Sequence, residues 1–294
     1  MKIANILKQK KTLSFEVFPP KRETDIGNLK KTIQDLATLN PDFMSVTYGA
    51  LGTTTDNSAA IAKFIKENTK SEPLAHITGI ASTKADIINL CNELKKSDIK
   101  NVLTLRGDNP ENTNNLQSDF EHASDLAAFI YEQFGDYFSC AGACYPEKHP
   151  EAVSFEVDID NLKKKQDTGM EFFTTQLFFD NDVFYRFLIK ARKAGITVPI
   201  LPGIMPVTSY KQIDRIIQVS GVLIPIQLRN YFDKYRNDKQ ALEEIGIIFT
   251  SYQILDLLTN DIDGLHLYSM NKSHFIKKLM PNISYVTTGY FANK

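Results

Sequence analysis

The 294-residue sequence predicts a TIM barrel, the closed (β/α)8 fold of class α/β, as a single domain over residues 1–294. Strand-like runs alternate with helix-like stretches, which favours a parallel sheet with crossover helices. Eight such units in one chain favour a closed barrel, which typically needs about 250 residues. An open doubly wound sheet is the alternative, and it is weakened because no Gly-x-Gly-x-x-Gly motif follows an early strand.

The first strand is predicted at 13–18, where Pro19 and Pro20 stop it because proline cannot extend a central strand. Hydrophobic and β-branched runs predict the other seven strands at 43–47, 74–78, 101–105, 138–144, 172–178, 198–201 and 264–268.

Between these strands, apolar residues spaced three to four apart predict helices. The helices are predicted at 26–39, 84–96, 123–134, 161–168, 183–194 and 210–219. The polar stretch 109–119 is typical of a loop, whereas 222–248 fits no simple repeat and predicts additional helices before the last strand.

Charge and composition exclude several classes of function. The formal net charge is −1, so no global field would attract nucleic acid or an anionic membrane. No apolar run approaches roughly 18 residues, and the start of the chain lacks the features of a secretory signal. The odd set of Cys91, Cys140 and Cys144 favours buried thiols over disulfides or zinc, and therefore a cytoplasmic protein.

Polar residues interrupt strands that a barrel should bury on both sides. Because the carboxyl ends of barrel strands converge on one face, these residues are expected to meet in one pocket. They are Glu16, Thr47, His76, Arg106, Asp108, Tyr145, Gln176 and Tyr268. Structural alternatives exist, since Arg106 could form a salt-bridged turn and His76 could be a satisfied core histidine. His266 and Tyr268 alternate with leucines, so the sequence does not say which pair faces inward.

Glu16 is the most informative of these residues, because it lies mid-strand among apolar neighbours. Burial is expected to raise its pKa and to keep it protonated near neutral pH, as a proton donor requires. The structural alternative is a buried carboxylate paired with a lysine or an arginine.

A second group follows the fifth strand and comprises 145–152, Asp158 and 161–165. With a helix that begins near Asp158, Asn161 and Lys165 lie four residues apart and share a face. The lysines could then neutralise a pyrophosphate. From these residues alone, a solvated charged face is the more economical interpretation.

Seven segments in order resemble the signature segments of the bacterial methylenetetrahydrofolate reductase family, over about residues 12–275. They are Ser14–Pro20, Ser45–Ala50, Leu105–Asp108, Tyr145–Ala152, Gln176–Asp180, Pro202–Pro206 and Tyr268–Asn271. The resemblance implies a (β/α)8 barrel that binds FAD and reduces 5,10-methylenetetrahydrofolate to 5-methyltetrahydrofolate with NADH or NADPH, in one-carbon metabolism and methionine synthesis. It also implies a homo-oligomer without the regulatory domain of longer relatives.

The resemblance also implies roles for individual residues. Glu16 matches the general acid, and Asp108 matches the carboxylate near flavin and pterin. Gln176, Gln212 and Lys272 match folate contacts, Gln176 also touching the nicotinamide. The positions that match FAD contacts are Thr47, His76, Leu105, Arg106, Gly107, Asp108, His122, Ala123, Tyr145, His149, Ala152, Asp158, Asn161, Lys164 and Lys165.

Four positions depart from the relatives. Lys272 stands where relatives have arginine, and Lys164 where some relatives have it, so each loses a bidentate fork. Ile216 replaces a phenylalanine at the substrate site, and His122 replaces a tyrosine in the FAD segment. Three other functions stay open: a flavin barrel acting on another substrate such as proline, a non-enzymatic partner subunit, and a metal-dependent lyase, which the lack of a ligand pattern disfavours.

Overall fold

The computed structural model describes residues 1–20, 22–48, 55–107 and 118–292. Its strands are β1 (Thr12–Val17), β2 (Phe43–Val46), β3 (Glu72–Thr78), β4 (Asn101–Leu105), β5 (Ser139–Cys144), β6 (Phe172–Thr175), β7 (Ile200–Leu201), β8 (Gly203–Ile204) and β9 (Gly264–Tyr268). Its α-helices are α1 (Ile3–Leu7), α2 (Ile26–Ala37), α3 (Thr55–Asn68), α4 (Lys84–Lys96), α5 (Ala123–Phe134), α6 (Phe155–Asp167), α7 (Asn181–Lys193), α8 (Tyr210–Ser220), α9 (Ile226–Lys234), α10 (Lys239–Thr259), α11 (Ser273–Leu279) and α12 (Ser284–Ala292). Short 3-10 helices span Glu23–Asp25 and Met280–Ile283. Within these ranges no helix is long and apolar enough to cross a membrane.

The strands form one parallel sheet in the order β7-β6-β5-β4-β3-β2-β1-β9-β8. The two terminal strands of this order are the halves of one barrel strand, separated only by Pro202. Its first half pairs with β6 and its second half with β9, which closes the sheet. The predicted TIM barrel is therefore confirmed, and each of the eight predicted strands is found at its expected place in the chain.

The sixth predicted strand is shorter than expected and ends at Thr175 instead of 178. The Gln176 amide still donates to Cys144 O, but the next amide, that of Leu177, donates to the Gln176 side chain. This local bond ends the ladder and turns the chain into the loop that follows.

Helix predictions were confirmed at 84–96 and 123–134 to the residue. The prediction at 161–168 was wrong at its start, because α6 begins at Phe155, where the Ser154 hydroxyl accepts from Val157 N as an N-cap. The additional helices predicted in 222–248 are confirmed, because the stretch contains α9 and the first part of α10. The three cysteines are buried and free, as predicted.

Apolar residues close one end of the barrel. Helix α1 places Ile3 and Leu7 under the amino ends of the strands, and Asn101 Oδ1 accepts from the Ile3 amide at 2.7 Å. The side chains that pack with these two residues are Phe43, Leu74, Leu103, Ala141, Phe172 and Leu201. A site for polar chemistry is therefore confined to the opposite end, where the strands finish.

Candidate active site

A cavity of about 920 Å³ opens at the carboxyl ends of the strands, within the size range of small-molecule sites. Glu16 and Gln176 line it, as do all the described positions that the resemblance assigned to the cofactor. These are Thr47, His76, Leu105, Arg106, Gly107, His122, Ala123, Tyr145, His149, Ala152, Asp158, Asn161, Lys164 and Lys165. Residues from six strands and the loops behind them thus meet on one surface.

Two predicted site residues line a second pocket. Gln212 and Lys272 line a small pocket beside the main cavity, and Tyr268 lines both. Asp108 lies outside the described residues.

The position of Glu16 is determined by the register of three adjacent strands. It is paired with Ser45 of β2 on one side and with Tyr268 of β9 on the other. The Ser45 hydroxyl donates to Glu16 Oε2 at 3.3 Å. The Nε2 atoms of His76 and His266 lie 3.6 Å and 3.7 Å from the same oxygen, and the Glu16 side chain is 18% exposed.

The expectation that Glu16 has a raised pKa is wrong. Burial raises its pKa, but the close contact with His266, the charges of His76 and His266, and the Ser45 hydroxyl together bring the pKa of Glu16 below its usual value. The residue is neither isolated nor paired with lysine or arginine. Its partners are two imidazoles, which can exchange protons with it, and a hydroxyl, which donates a hydrogen bond to it.

Hydrogen bonding defines the orientation of His266. Its Nδ1 lies 2.8 Å from Ser14 Oγ, and the Ser14 hydroxyl is 3.2 Å from Leu265 O, to which it donates. Because a serine hydroxyl has one proton, its oxygen then accepts from His266 Nδ1–H. The other ring nitrogen, Nε2, is left facing Glu16. His266 is 1% exposed, so this arrangement is enclosed by protein.

His76 is the second imidazole beside Glu16, and it is 6% exposed. Its Nε2 is buried without a hydrogen-bond partner in the described part of the chain. Burial lowers the pKa of His76 to about 4, with Glu16 opposing that effect and His266 adding to it. At neutral pH His76 is therefore an uncharged polar group on the cavity wall.

The loop 145–152 forms another wall and is fixed by its own hydrogen bonds. Asp158 Oδ2 accepts from the His149 amide at 2.8 Å, and His149 Nδ1 accepts from the Glu151 amide at 3.1 Å. Lys148 occupies the left-handed region with φ 87°, and its ammonium donates to Ala152 O. The loop therefore presents the His149 ring and the Ala152 backbone in one conformation.

Basic side chains lie along the same wall. Lys165 donates to Ala143 O at 2.9 Å, and burial lowers its pKa while Cys144 and Asp158 raise it. Lys164 Nζ donates to Asn161 Oδ1 at 3.3 Å. Asn161 and Lys165 both lie on α6 and both line the cavity, as expected for two residues that share a helix face. Arg106 forms a two-pronged ion pair with Glu151, with N–O distances of 2.5 Å and 2.7 Å.

The backbone just after β4 requires a glycine at position 107. Its φ is +89°, and an added Cβ would lie 2.5 Å from Ile80 Cγ2. A larger residue would strain the backbone next to Arg106.

The amides matched to folate are engaged in their own loops. Gln212 accepts from Thr208 N and donates to Pro206 O, both at 3.1 Å. Gln176 accepts from the Leu177 amide at 2.9 Å. Lys272 Nζ lies 5.3 Å from the centre of the Phe275 ring, a cation–π distance.

Sequence reasoning left the inward direction of two residues of the site, His266 and Tyr268, unassigned. His266 contacts Glu16, and the Tyr268 hydroxyl donates to Thr175 O at 2.6 Å in the wall of the cavity. The alternation of β9 contained the signal, but choosing its inward phase needs the pairing of Ser14 with His266. In the ranges that the structure describes, no group of three or more His, Cys, Asp or Glu side chains could hold a metal ion.

Comparison with known proteins agrees with this geometry. The family model described as methylenetetrahydrofolate reductase matches residues 2–284. A 5,10-methylenetetrahydrofolate reductase of Escherichia coli (strain K12) is 33% identical over 261 residues, which cover 89% of this chain and 86% of that protein. Methylenetetrahydrofolate reductase (NADH) 1 of Arabidopsis thaliana is 34% identical over 92% of this chain, but only 48% of its own length is matched. The chain thus spans about half the length of that plant relative.

Solved structures support the fold. An uncharacterized protein from Clostridium thermocellum that binds two copies of 5-methyl-5,6,7,8-tetrahydrofolic acid superposes with a TM-score of 0.68 at 15% identity, covering 98% of this chain and 100% of its own. A 2,3-dimethylmalate lyase superposes with a TM-score of 0.54 at 8% identity, over 97% of this chain and 86% of its own.

Proposed function

This chain belongs to the methylenetetrahydrofolate reductase family, and on that premise we propose that it reduces 5,10-methylenetetrahydrofolate to 5-methyltetrahydrofolate with FAD and NADH or NADPH. The observation that carries the proposal is the common cavity. Every described position matched to the cofactor lines the space that Glu16 also faces. These residues are far apart in sequence, so a single ligand that contacts all of them would give them a common function.

The residues of the cavity fit FAD. Lys164 and Lys165 supply positive charge for a pyrophosphate, and Lys165 is already oriented by its bond to Ala143 O. The unpartnered His76 Nε2 offers a hydrogen bond to a polar ligand at a buried position. When bound, FAD would supply the chemistry of accepting a hydride from the nicotinamide and returning one to the folate.

The protein itself handles the proton. Glu16 would donate a proton to the folate nitrogen as the five-membered ring opens, which prepares the exocyclic carbon for hydride. Its lowered pKa makes Glu16 a strong donor but leaves it ionised at rest. We therefore infer that Glu16 is reprotonated through His266, whose Nε2 faces the carboxylate at 3.7 Å. Because Nδ1 keeps its proton towards Ser14, Nε2 first takes up a proton from solvent, and the resulting imidazolium then passes that proton to Glu16.

The substrate would lie towards the small pocket. Tyr268 lines both spaces and connects the Glu16 side of the cavity with Gln212 and Lys272. We propose that Gln176 and Gln212 contact the folate, Gln176 also the nicotinamide, and that Lys272 attracts the folate's carboxylates as a point charge. Asp108, as the carboxylate near flavin and pterin, belongs to the same proposal.

The test is anaerobic stopped-flow absorbance of the purified protein. Flavin absorbance should bleach when NADH or NADPH is added and return when 5,10-methylenetetrahydrofolate follows. A flavin-loaded protein that ignores folate would indicate a flavin barrel with another substrate. A protein that binds no flavin would contradict the proposal and favour a non-enzymatic subunit.

We also propose that the protein is a cytoplasmic homo-oligomer and that residues 1–294 act as one domain. Light scattering of the purified protein would test the assembly, and a mass near the 33.3 kDa of one chain would contradict it. Limited proteolysis would test the single domain, because separable domains would yield large stable fragments.

A further inference from the structure

Helices α8 and α9 and the connection between them, residues 210–234, form a flap beside the barrel mouth. Its apolar side chains belong to a hydrophobic cluster separate from the main barrel core. That cluster comprises Phe179, Met205, Val207, Ile213, Ile216, Val222, Leu228, Phe232 and Leu242. Two positions matched to the substrate site, Gln212 and Ile216, lie on α8. The flap therefore packs on this second cluster and not on the main core.

One hydrogen bond joins this flap to the loop 145–152. Glu147 Oε2 accepts from the Leu223 backbone amide at 2.9 Å, across 76 positions of sequence. Leu223 lies in the connection between α8 and α9, and its side chain is largely exposed. The contact therefore depends on the backbone of the flap and on a side chain of the loop that also presents His149 and Ala152 to the cavity.

The setting of Glu147 is costly for a carboxylate. Its other oxygen, Oε1, is buried and has no hydrogen-bond partner among the described residues. Burial raises the pKa of Glu147, the Leu223 amide lowers it, and Asp180 raises it. A charged carboxylate in such surroundings destabilises the folded protein. Its retention is explained if the hydrogen bond to Leu223 serves a role other than stability. Neither the proton chemistry nor the proposed cofactor contacts use this carboxylate.

We propose that Glu147 is a positioning residue that couples the loop 145–152 to the flap, so that a ligand bound against the loop also restrains the flap that carries Gln212 and Ile216. This inference rests on the proposed function in taking that ligand to be FAD and the flap's ligand to be the folate. The coupling acts through one side-chain acceptor and one backbone donor. It requires no contact between the two ligands.

Three variants test the coupling. Glu147→Ala removes the acceptor. Glu147→Gln removes the charge but keeps an amide oxygen that can accept from Leu223 N. Glu244→Ala removes a carboxylate from an exposed position on α10 and is the matched control. Hydrogen–deuterium exchange of peptides covering 209–226 is measured for each protein with and without FAD.

In the unchanged protein and in Glu244→Ala, FAD should slow exchange in 209–226. In Glu147→Ala this protection should be lost although FAD still binds, as flavin absorbance after gel filtration would register. Steady-state kinetics should then show KM for 5,10-methylenetetrahydrofolate about tenfold higher, with flavin reduction by NADH unchanged. Glu147→Gln should restore both protection and KM. A purely structural role of Glu147 would not raise the KM for 5,10-methylenetetrahydrofolate while leaving flavin reduction by NADH unchanged.

FAD-dependent protection in Glu147→Ala equal to that of the unchanged protein would overturn the coupling. So would equal losses in both half-reactions without rescue by Glu147→Gln. If neither the unchanged protein nor any variant binds FAD, the proposed function fails. The coupling is then judged from hydrogen–deuterium exchange of the unliganded proteins alone. Faster exchange of 209–226 in Glu147→Ala than in the unchanged protein would then support the coupling, and identical exchange would reject it.

Discussion

The two ends of the barrel are built from the same strands but differ in what they bury. At the base, Ile3 and Leu7 of α1 meet an apolar layer that includes Phe172. At the mouth, the Glu16 carboxylate and the His76 ring are enclosed by protein, and His76 Nε2 has no hydrogen-bond partner among the described residues. The base gains stability from apolar burial, whereas the mouth sacrifices some stability by burying groups that water would solvate better. The contrast teaches that stability and chemistry can be altered separately, although only about one layer of side chains lies between them.

That layer is visible in the ring contacts. The Phe172 ring meets Phe43 edge-on at 6.1 Å between centroids, and Phe43 stacks on His266 at 6.1 Å with an interplanar angle of 14°. His266 in turn faces Glu16. The apolar base thus supports the mouth through Phe43.

The largest effect is expected from Glu16→Gln at the mouth. Reoxidation of reduced flavin by 5,10-methylenetetrahydrofolate should slow by roughly 10²–10⁴-fold, because the amide cannot donate the proton as an acid does. Bleaching by NADH should stay near the rate of the unchanged protein, which makes that half-reaction the internal control. Stopped-flow absorbance measures both. Two intact half-reactions would remove Glu16 from the chemistry.

Phe172→Ala should show the opposite pattern at the base. Deleting this fully buried ring should cost about 3–5 kcal/mol of unfolding free energy, measured by urea denaturation. Ile189→Ala, at an exposed position on α7, is the control and should change stability by less than about 0.5 kcal/mol. Flavin binding by folded Phe172→Ala should persist. If flavin affinity instead fell together with stability, the two ends would not be separable.

His76 should make the mouth sensitive to acid. Its pKa is lowered from 6.5 to about 4 in the folded protein, so the unfolded chain takes up its proton first. The unfolding free energy should therefore fall as pH drops from 6.5 to 4, by on the order of 3 kcal/mol from this residue. The lowered pKa of Glu16 adds loss in the same direction as pH falls through its folded value.

His76→Gln should remove the histidine part of this dependence. Urea denaturation at several pH values would compare the two proteins, and their difference should be flat above pH 6.5 and change between 6.5 and 4. Parallel curves over the whole range would show that His76 takes up its proton equally in the folded and unfolded states.

The smallest effect is expected at the rim, where Arg106 is 31% and Glu151 60% exposed. An ion pair this exposed contributes about 0–1 kcal/mol, so Glu151→Gln should barely change stability. Because Glu151 competes with an anionic ligand for Arg106, the variant should bind FAD up to about fivefold more tightly at low salt, and the gain should shrink at high salt. Fluorescence titration measures this. Weaker binding would instead assign Glu151 to holding Arg106 in place.

The sequence was sufficient for the barrel and for many of the polar residues that line its main cavity. Strands and helices are set by local periodicity, and parallel strands carry their terminal side chains to one face, so Arg106 and Gln176 could be placed together in advance. The region 222–248 could not be assigned, because its helices pack on a second cluster beyond the repeat of the barrel.

The electrostatics of the site could not be predicted for a different reason. The pKa of Glu16 depends on groups from β2, β3 and β9, which no local pattern connects to β1. The orientation of His266 likewise depends on Ser14, 252 positions away. Burial alone gave the wrong direction, because a buried carboxylate responds to its specific neighbours as much as to the loss of water.

The closing seam of the barrel has a consequence for anyone who would redesign this pocket. Thr175 accepts from the Gly203 amide through its hydroxyl and from the Tyr268 hydroxyl through its carbonyl, and a Cβ on Gly203 would lie 2.7 Å from the Tyr268 ring. Both Thr175 and Tyr268 also line the cavity. Substitutions chosen to admit a new substrate there would also break the hydrogen bonds that close the barrel and would therefore destabilise it. Libraries for altered specificity should therefore keep these three positions fixed and vary the α8 face first.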